Sequence, residues 1–168
     1  MPLRLILMRH AKSSWEDPDL PDRDRPLNAR GQRAARALGE WLASRGYMPD
    51  QVLCSSARRT VETWQGVAPA LGDAPEPHLI DALYHADPQT MLATLRQATG
   101  RTVLMLGHNP GIGAFAATLP AQPPLGPNFA HYPTGATLVV SFDAPGWPDI
   151  APGEGGVLDF IVPRDIKT

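Results

Sequence analysis

The chain has 168 residues, 43% of them apolar and 19% charged, with a formal net charge of −2. That balance belongs to a globular chain with a sizeable core; it excludes a disordered polypeptide and a global basic field for nucleic acid. A lone cysteine, Cys54, excludes an internal disulfide, and the apolar run at the start is cut off by Arg9 and His10. Neither a signal peptide nor a membrane span is legible. The expectation is one domain over residues 1–168, cytoplasmic, with no nucleic-acid and no membrane partner.

In chain order, residues 3–9 read as a first strand. Asn28 is a good N-cap for a helix that places Ala34, Ala35, Leu38, Trp41 and Leu42 on one face, with Gly46 as its stop. "QVLCS" (51–55) is a short apolar strand. Val61, Trp64, Ala68 and Leu71 form the stripe of a second helix over 58–71, and "PHLI" (77–80) reads as a third strand. Asp87 followed by Pro88 opens a helix through about Thr99. "TVLMLG" (102–107) is a continuous apolar strand buried on both faces, followed by a short helix at 110–118. Strands at 137–142 and 157–162 complete the set. The proline-rich stretches 120–133 and 144–153 read as ordered irregular loops. Strands alternating with helices imply a three-layer α/β/α sandwich with a mainly parallel central sheet, whose sites lie beyond the carboxyl ends of its strands.

Three of those strand ends carry unusual side chains: Arg9-His10, then "CSSARRT" with Arg58 and Arg59 at a helix start, then "GHNPG" with His108. If the three strands run parallel, two imidazoles and at least two guanidiniums meet at one edge. Arginines bind a phosphoryl group bidentately and keep their charge. A neutral imidazole beside permanent cations keeps a free nitrogen that can attack phosphorus. The five histidines have no close metal-ligand spacing, so neither metal nor cofactor is expected. One of Arg58 and Arg59 is expected to do no more than cover the surface of its helix.

"LMRHAKSSW" resembles the Arg-His-Gly/Ala signature of the histidine phosphatase, or phosphoglycerate-mutase-like, superfamily. "CSSARRTVETW" resembles its second element, S-P-x-x-R-A-x-x-T, with Ser56 for the proline and Thr60 for the alanine, and "GHNPG" resembles its third. The motifs occur in the family's order across nearly the whole chain. The short length and "RHAKSSWEDPDLPDRDRPLNARG" are similar to the small bacterial SixA-type phosphohistidine phosphatases.

The resemblance implies that His10 is the nucleophile, forming a phosphohistidine intermediate. By the same resemblance Arg9 and Arg59 hold the phosphoryl oxygens, His108 donates to them, Ser13 helps bind phosphate, and Arg58 turns outward. Two positions depart from the pattern. Glu16 stands where the mutases carry an asparagine and would have to turn away from a phosphate. Asp81 is a poor match for their glutamate acid.

The implied substrate is a phosphorylated protein, with a phosphohistidine phosphatase the leading reading. A phosphatase of small phosphorylated metabolites, or an inactive phosphoprotein-binding module, remains open. The loops at 14–27 and 120–133 are expected to rim the site, with Trp15 the one tryptophan near it. A cysteine phosphatase is excluded because Thr60 stands where Cys54 would need its arginine, and "GHNPGIG" lacks the Lys and Ser/Thr of a P-loop.

Overall fold

A computed structural model describes residues 2–167. Its strands are β1 (Leu3–Arg9), β2 (Gln51–Ser55), β3 (Pro77–Ile80), β4 (Thr102–Gly107), β5 (Thr137–Phe142) and β6 (Gly156–Ile161). They form one sheet in the order β3-β2-β4-β1-β5-β6. The first four in that order run parallel, and β5 is antiparallel to both β1 and β6.

Alternation along the central strands builds two cores. Leu5 and Leu7 of β1 with Val103 and Met105 of β4 face one side, joined by Met91, Leu95, Ile112 and Phe115. Ile6 and Met8 with Leu104 and Leu106 face the other, joined by Ala35, Leu38, Leu42, Trp64 and Val67. A strand covered on both faces must be apolar at every position, which is why "TVLMLG" shows no alternation.

The helices supply the outer layers. α1 (Ala29–Arg45) and α2 (Arg58–Val67) cover one face; α3 (Pro88–Leu95), α4 (Gly111–Thr118) and the short α5 (Pro127–His131) cover the other. Asn28 caps α1 by accepting from the Gly31 N–H at 2.8 Å, and Gly46 ends it in the left-handed region at φ 73°.

The expected elements are present, with corrections at some ends. α2 stops at Val67 and continues as a 3-10 turn, Ala68–Leu71, because Pro69 has no N–H to extend the α pattern. α3 stops at Leu95 rather than Thr99. The Gln51 side-chain carbonyl accepts from the Thr99 and Gly100 N–H groups and draws the chain off the helix axis. The loop over 120–133 holds α5 within it. Among the described residues, no helix is long and apolar enough to cross a membrane.

Candidate active site

The register brings the three polar strand ends together. Arg9 on β1 pairs with Gly107 on β4, so His10 and His108 are the first residues beyond two adjacent parallel strands. Their ring centroids are 5.3 Å apart. Cys54 on β2 pairs with Leu106, which sets Ser55 and the start of α2 beside them. A cleft of about 310 Å3 opens there, lined by Arg9, His10, Ser13, Arg25, Arg59 and His108 among others.

His10 is held by a chain of backbone and side-chain contacts. Its N–H donates to the Gly107 carbonyl at 3.2 Å, and its own carbonyl accepts from Gly135 at 2.9 Å. The next residue, Ala11, donates its N–H to Thr63 Oγ1 on α2 at 3.0 Å. The imidazole Nδ1 lies 2.7 Å from the Ala11 carbonyl. A carbonyl can only accept, so Nδ1 carries the proton and Nε2 keeps its lone pair. The ring is buried, and desolvation, then the charges of Arg9, Arg59 and Arg25, push its pKa down to about 3. His10 is therefore a neutral imidazole facing permanent cations.

His108 is buried as well, and its pKa is likewise lowered to about 3, by desolvation first and then by His10 and Arg59. Its Nε2 lies 2.7 Å from Ser55 Oγ. Its Nδ1 is buried with no hydrogen-bond partner. Among the described residues the one other buried side-chain nitrogen or oxygen in that condition is Arg9 Nε, in the same cleft. Buried polar atoms without partners are costly, and their convergence on one cleft marks the place where a ligand supplies them.

The arginines are positioned individually. Arg9 donates to the Tyr132 carbonyl at 3.1 Å. Arg59 is buried; it donates to the Asp22 carbonyl at 2.7 Å and to the Asp22 carboxylate at 3.0 Å. Arg58 points outward and pairs with Glu62 at 2.7 Å. The split between these two neighbours is the expected one.

Arg25 is a third cleft arginine, absent from the sequence reading. It is buried, donates to Ser13 Oγ and to the Ser14 carbonyl, and pairs with Asp22 at 2.9 Å. Its guanidinium lies 3.4 Å from the centre of the Trp15 ring, which is 73% exposed at the mouth of the cleft. The signal that could have found Arg25 is weak, because "DRDRP" reads as a solvated charge run.

The turn after β3 packs against His108 and Arg59. Tyr84 donates to Asp22 at 2.5 Å and packs edge-on against His108, with centroids 5.5 Å apart. His85, at φ 58°, stacks on Tyr84 at 3.9 Å. The Tyr84 hydrogen bond and then Arg59 hold the Asp22 carboxyl down near a pKa of about 2. Asp81 is tied to Ser56 and Arg23, both of which keep it ionised, so it is a poor proton donor.

Other expectations divide. Ser13 lines the cleft through its contact with Arg25. Glu16 is exposed and does not line it. Of the two expected rim loops, the first contributes Trp15 and Arg25. From the second, Asn128, His131 and Pro133 line a neighbouring hollow instead. Among the described residues, no group of three or more His, Cys, Asp or Glu is placed to hold a metal ion.

A parallel-sheet edge with paired histidines and converging arginines defines a phosphoryl-handling site. A family profile described as the histidine phosphatase superfamily (branch 1) matches residues 5–87. The chain is 35% identical over 164 residues to Rv1276c of Mycobacterium tuberculosis, an uncharacterised protein, covering 94% of this chain and all of that one. It is similar in structure to a Nakamurella multipartitia protein that carries the provisional name phosphohistidine phosphatase SixA. That match has 31% identity, 97% of each chain covered and a TM-score of 0.80. A phosphoserine phosphatase of Entamoeba histolytica shares the fold at 15% identity, with 94% of this chain and 96% of that one covered and a TM-score of 0.62. The chain belongs to the histidine phosphatase superfamily and is a phosphatase.

Proposed function

We propose that this protein hydrolyses phosphoryl groups through a phosphohistidine intermediate on His10, that no metal takes part, and that its substrate is a phosphohistidine protein. The observation that carries the reading is the His10 imidazole itself: Nδ1–H is spent on the Ala11 carbonyl, and Nε2 is neutral and free beside three arginines.

In the first step Nε2 attacks phosphorus and the bond from phosphorus to the leaving nitrogen or oxygen breaks. The ring gains positive charge, which the Ala11 carbonyl meets through the Nδ1–H bond. Arg9, Arg25 and Arg59 meet the charge on the equatorial oxygens, in the role a metal plays elsewhere. A phosphoryl dianion beside His108 favours its protonated form, so Nδ1 then donates to a phosphoryl oxygen. In the second step water attacks phosphorus, the N–P bond breaks, and His10 and inorganic phosphate are released.

Two features support a protein substrate. The cleft, at about 310 Å3, sits at the low end of the range for small-molecule sites. The exposed Trp15 indole stands at its mouth, the kind of aromatic that anchors protein contacts. An imidazole leaving group also needs less protonation than an alkoxide, and Asp81 is not available to supply it. The second reading, a small-metabolite phosphatase, draws support from the fold shared with the phosphoserine phosphatase.

The test is a competition in chelator between a phosphohistidine protein and an aryl phosphate. The proposal expects turnover of both with a higher kcat/KM on the protein. A preference for small esters would favour the second reading, and turnover that needs an added metal would sink the mechanism.

A further inference from the structure

A second, larger hollow of about 410 Å3 adjoins the cleft, and Lys12 and Thr134 line both. Its basic residues come from separate parts of the chain. Lys12 follows the His10 strand end, Arg30 sits in the first turn of α1, His131 ends α5, and Arg164 lies in the 3-10 turn Pro163–Asp165. Ala34 and Val162 contribute apolar lining, and no Asp or Glu lines it.

Among the described residues, no carboxylate neutralises the cations of this hollow. Arg23, Arg25, Arg45, Arg58 and Arg59 each have a carboxylate within 4 Å; Arg33, Arg36 and Arg96 have none but are scattered, whereas the cations of this hollow share one concavity. Among the described residues Lys12, Arg30 and Arg164 have none; the Arg164 side chain reaches only Asn128 Oδ1, at 3.3 Å. Arg30 is also placed against the helix dipole. It is the second residue of α1, and the first turn of that helix holds no acid to balance it. A solvated surface ordinarily intersperses both signs. Here one sign is collected around a concavity that shares Lys12 and Thr134 with the phosphoryl cleft.

We infer that this hollow is a second anion subsite. It holds a carboxylate or phosphate carried by the same substrate whose phosphoryl group occupies the cleft, with the linking carbons lying over Ala34 and Val162. The inference rests on the phosphatase reading of the cleft and adds a requirement on substrate chemistry: a second negative group. That group could belong to a small phosphorylated acid or to an acidic side chain flanking a phosphohistidine.

The experiment compares matched substrates with wild type and the double variant Arg30→Gln/Arg164→Gln. One arm sets 3-phosphoglycerate against glycerol 3-phosphate, which differ by a carboxylate. The other sets phosphohistidine peptides with flanking Glu against the same peptides with Gln. Para-nitrophenyl phosphate, which has no second anion, is the reference. Wild type is expected to favour the anionic member of one pair by on the order of tenfold in kcat/KM, the size of one charge-assisted contact. The arm showing the preference identifies the source of the anion. The double variant should erase it and leave the para-nitrophenyl phosphate rate unchanged. Should the double variant lose that reference rate, Arg164→Gln alone, on an exposed turn, should still reduce the preference. No preference in either arm, or one that survives the substitutions, overturns the inference while the phosphatase reading stands. Failure of wild type to turn over the reference overturns both.

Discussion

His108 Nε2 and Ser55 Oγ lie 2.7 Å apart, joining the ends of β4 and β2 across the back of the cleft. With Nε2 occupied there, Nδ1 is the nitrogen left for a ligand. Ser55 also accepts from the Ala57 N–H at 3.3 Å, so the same hydroxyl braces the turn that leads into α2 and Arg59. Ser55→Ala should leave a buried imidazole nitrogen unsatisfied, at about 1–3 kcal/mol of stability. In kinetics the loss should fall on kcat more than KM, since His108 would bind but lose its orientation. Thermal unfolding and steady-state kinetics of this variant check both halves.

Arg25 should matter as much as Arg59 despite its position in a surface loop. It is buried, holds Ser13 and Asp22, and stacks on Trp15. Arg25→Ala should weaken orthophosphate binding by on the order of tenfold or more, the value of a charge-assisted contact. Arg58→Ala removes an exposed pair with Glu62 and should change it less than about twofold. Calorimetric titration with phosphate distinguishes the two.

Acid should unfold the protein through the two buried histidines of the cleft, His10 and His108. Both have folded-state pKa values pushed down to about 3, from an ordinary 6.5. In that window the unfolded chain binds more protons, so stability is fully present above about pH 6.5 and falls as pH drops toward 3. Saturating phosphate should oppose the loss, because its charge favours the protonated rings. Melting temperature against pH, with and without phosphate, reads this directly. His10→Asn should flatten the slope in part.

Gly31 permits a close approach to the Lys12 backbone that positions the loop after His10. A methyl group there would overlap the Lys12 carbonyl oxygen, which also accepts from the Asn28 N–H at 3.0 Å. Gly31→Ala gains helix propensity, yet the clash with backbone should dominate and destabilise by about 1–3 kcal/mol. Activity should fall with it as residues 10–13 shift. Chemical denaturation and the aryl phosphate rate test this.

The architecture was legible because its signals are local: apolar runs for the strands, Asn28 and Gly46 for the ends of α1, and Asp87-Pro88 for the start of α3. Arg9, His10, Arg59 and His108 were legible because each sits one step from a strand or helix end, where parallel pairing gathers them. Arg25, Asp22, Tyr84 and His85 were not. Each lies in a loop whose course depends on long-range contacts, such as the Asp22 pairings with Arg59 and Tyr84. The ends of α2 and α3 were overrun because Pro69 and the Gln51 side chain act against the apolar period. The basic hollow is assembled from four segments and has no local signature.

Under the proposed mechanism, His10 Nε2 carries the phosphoryl group. The direct measurement is rapid quench of the protein with 32P-labelled phosphohistidine substrate in chelator, followed by mapping of the labelled peptide. Alkali-stable, acid-labile label is expected on the peptide containing His10, absent in His10→Ala and slow to turn over in His108→Ala. Turnover with no label on His10, or label that persists in His10→Ala, would contradict it.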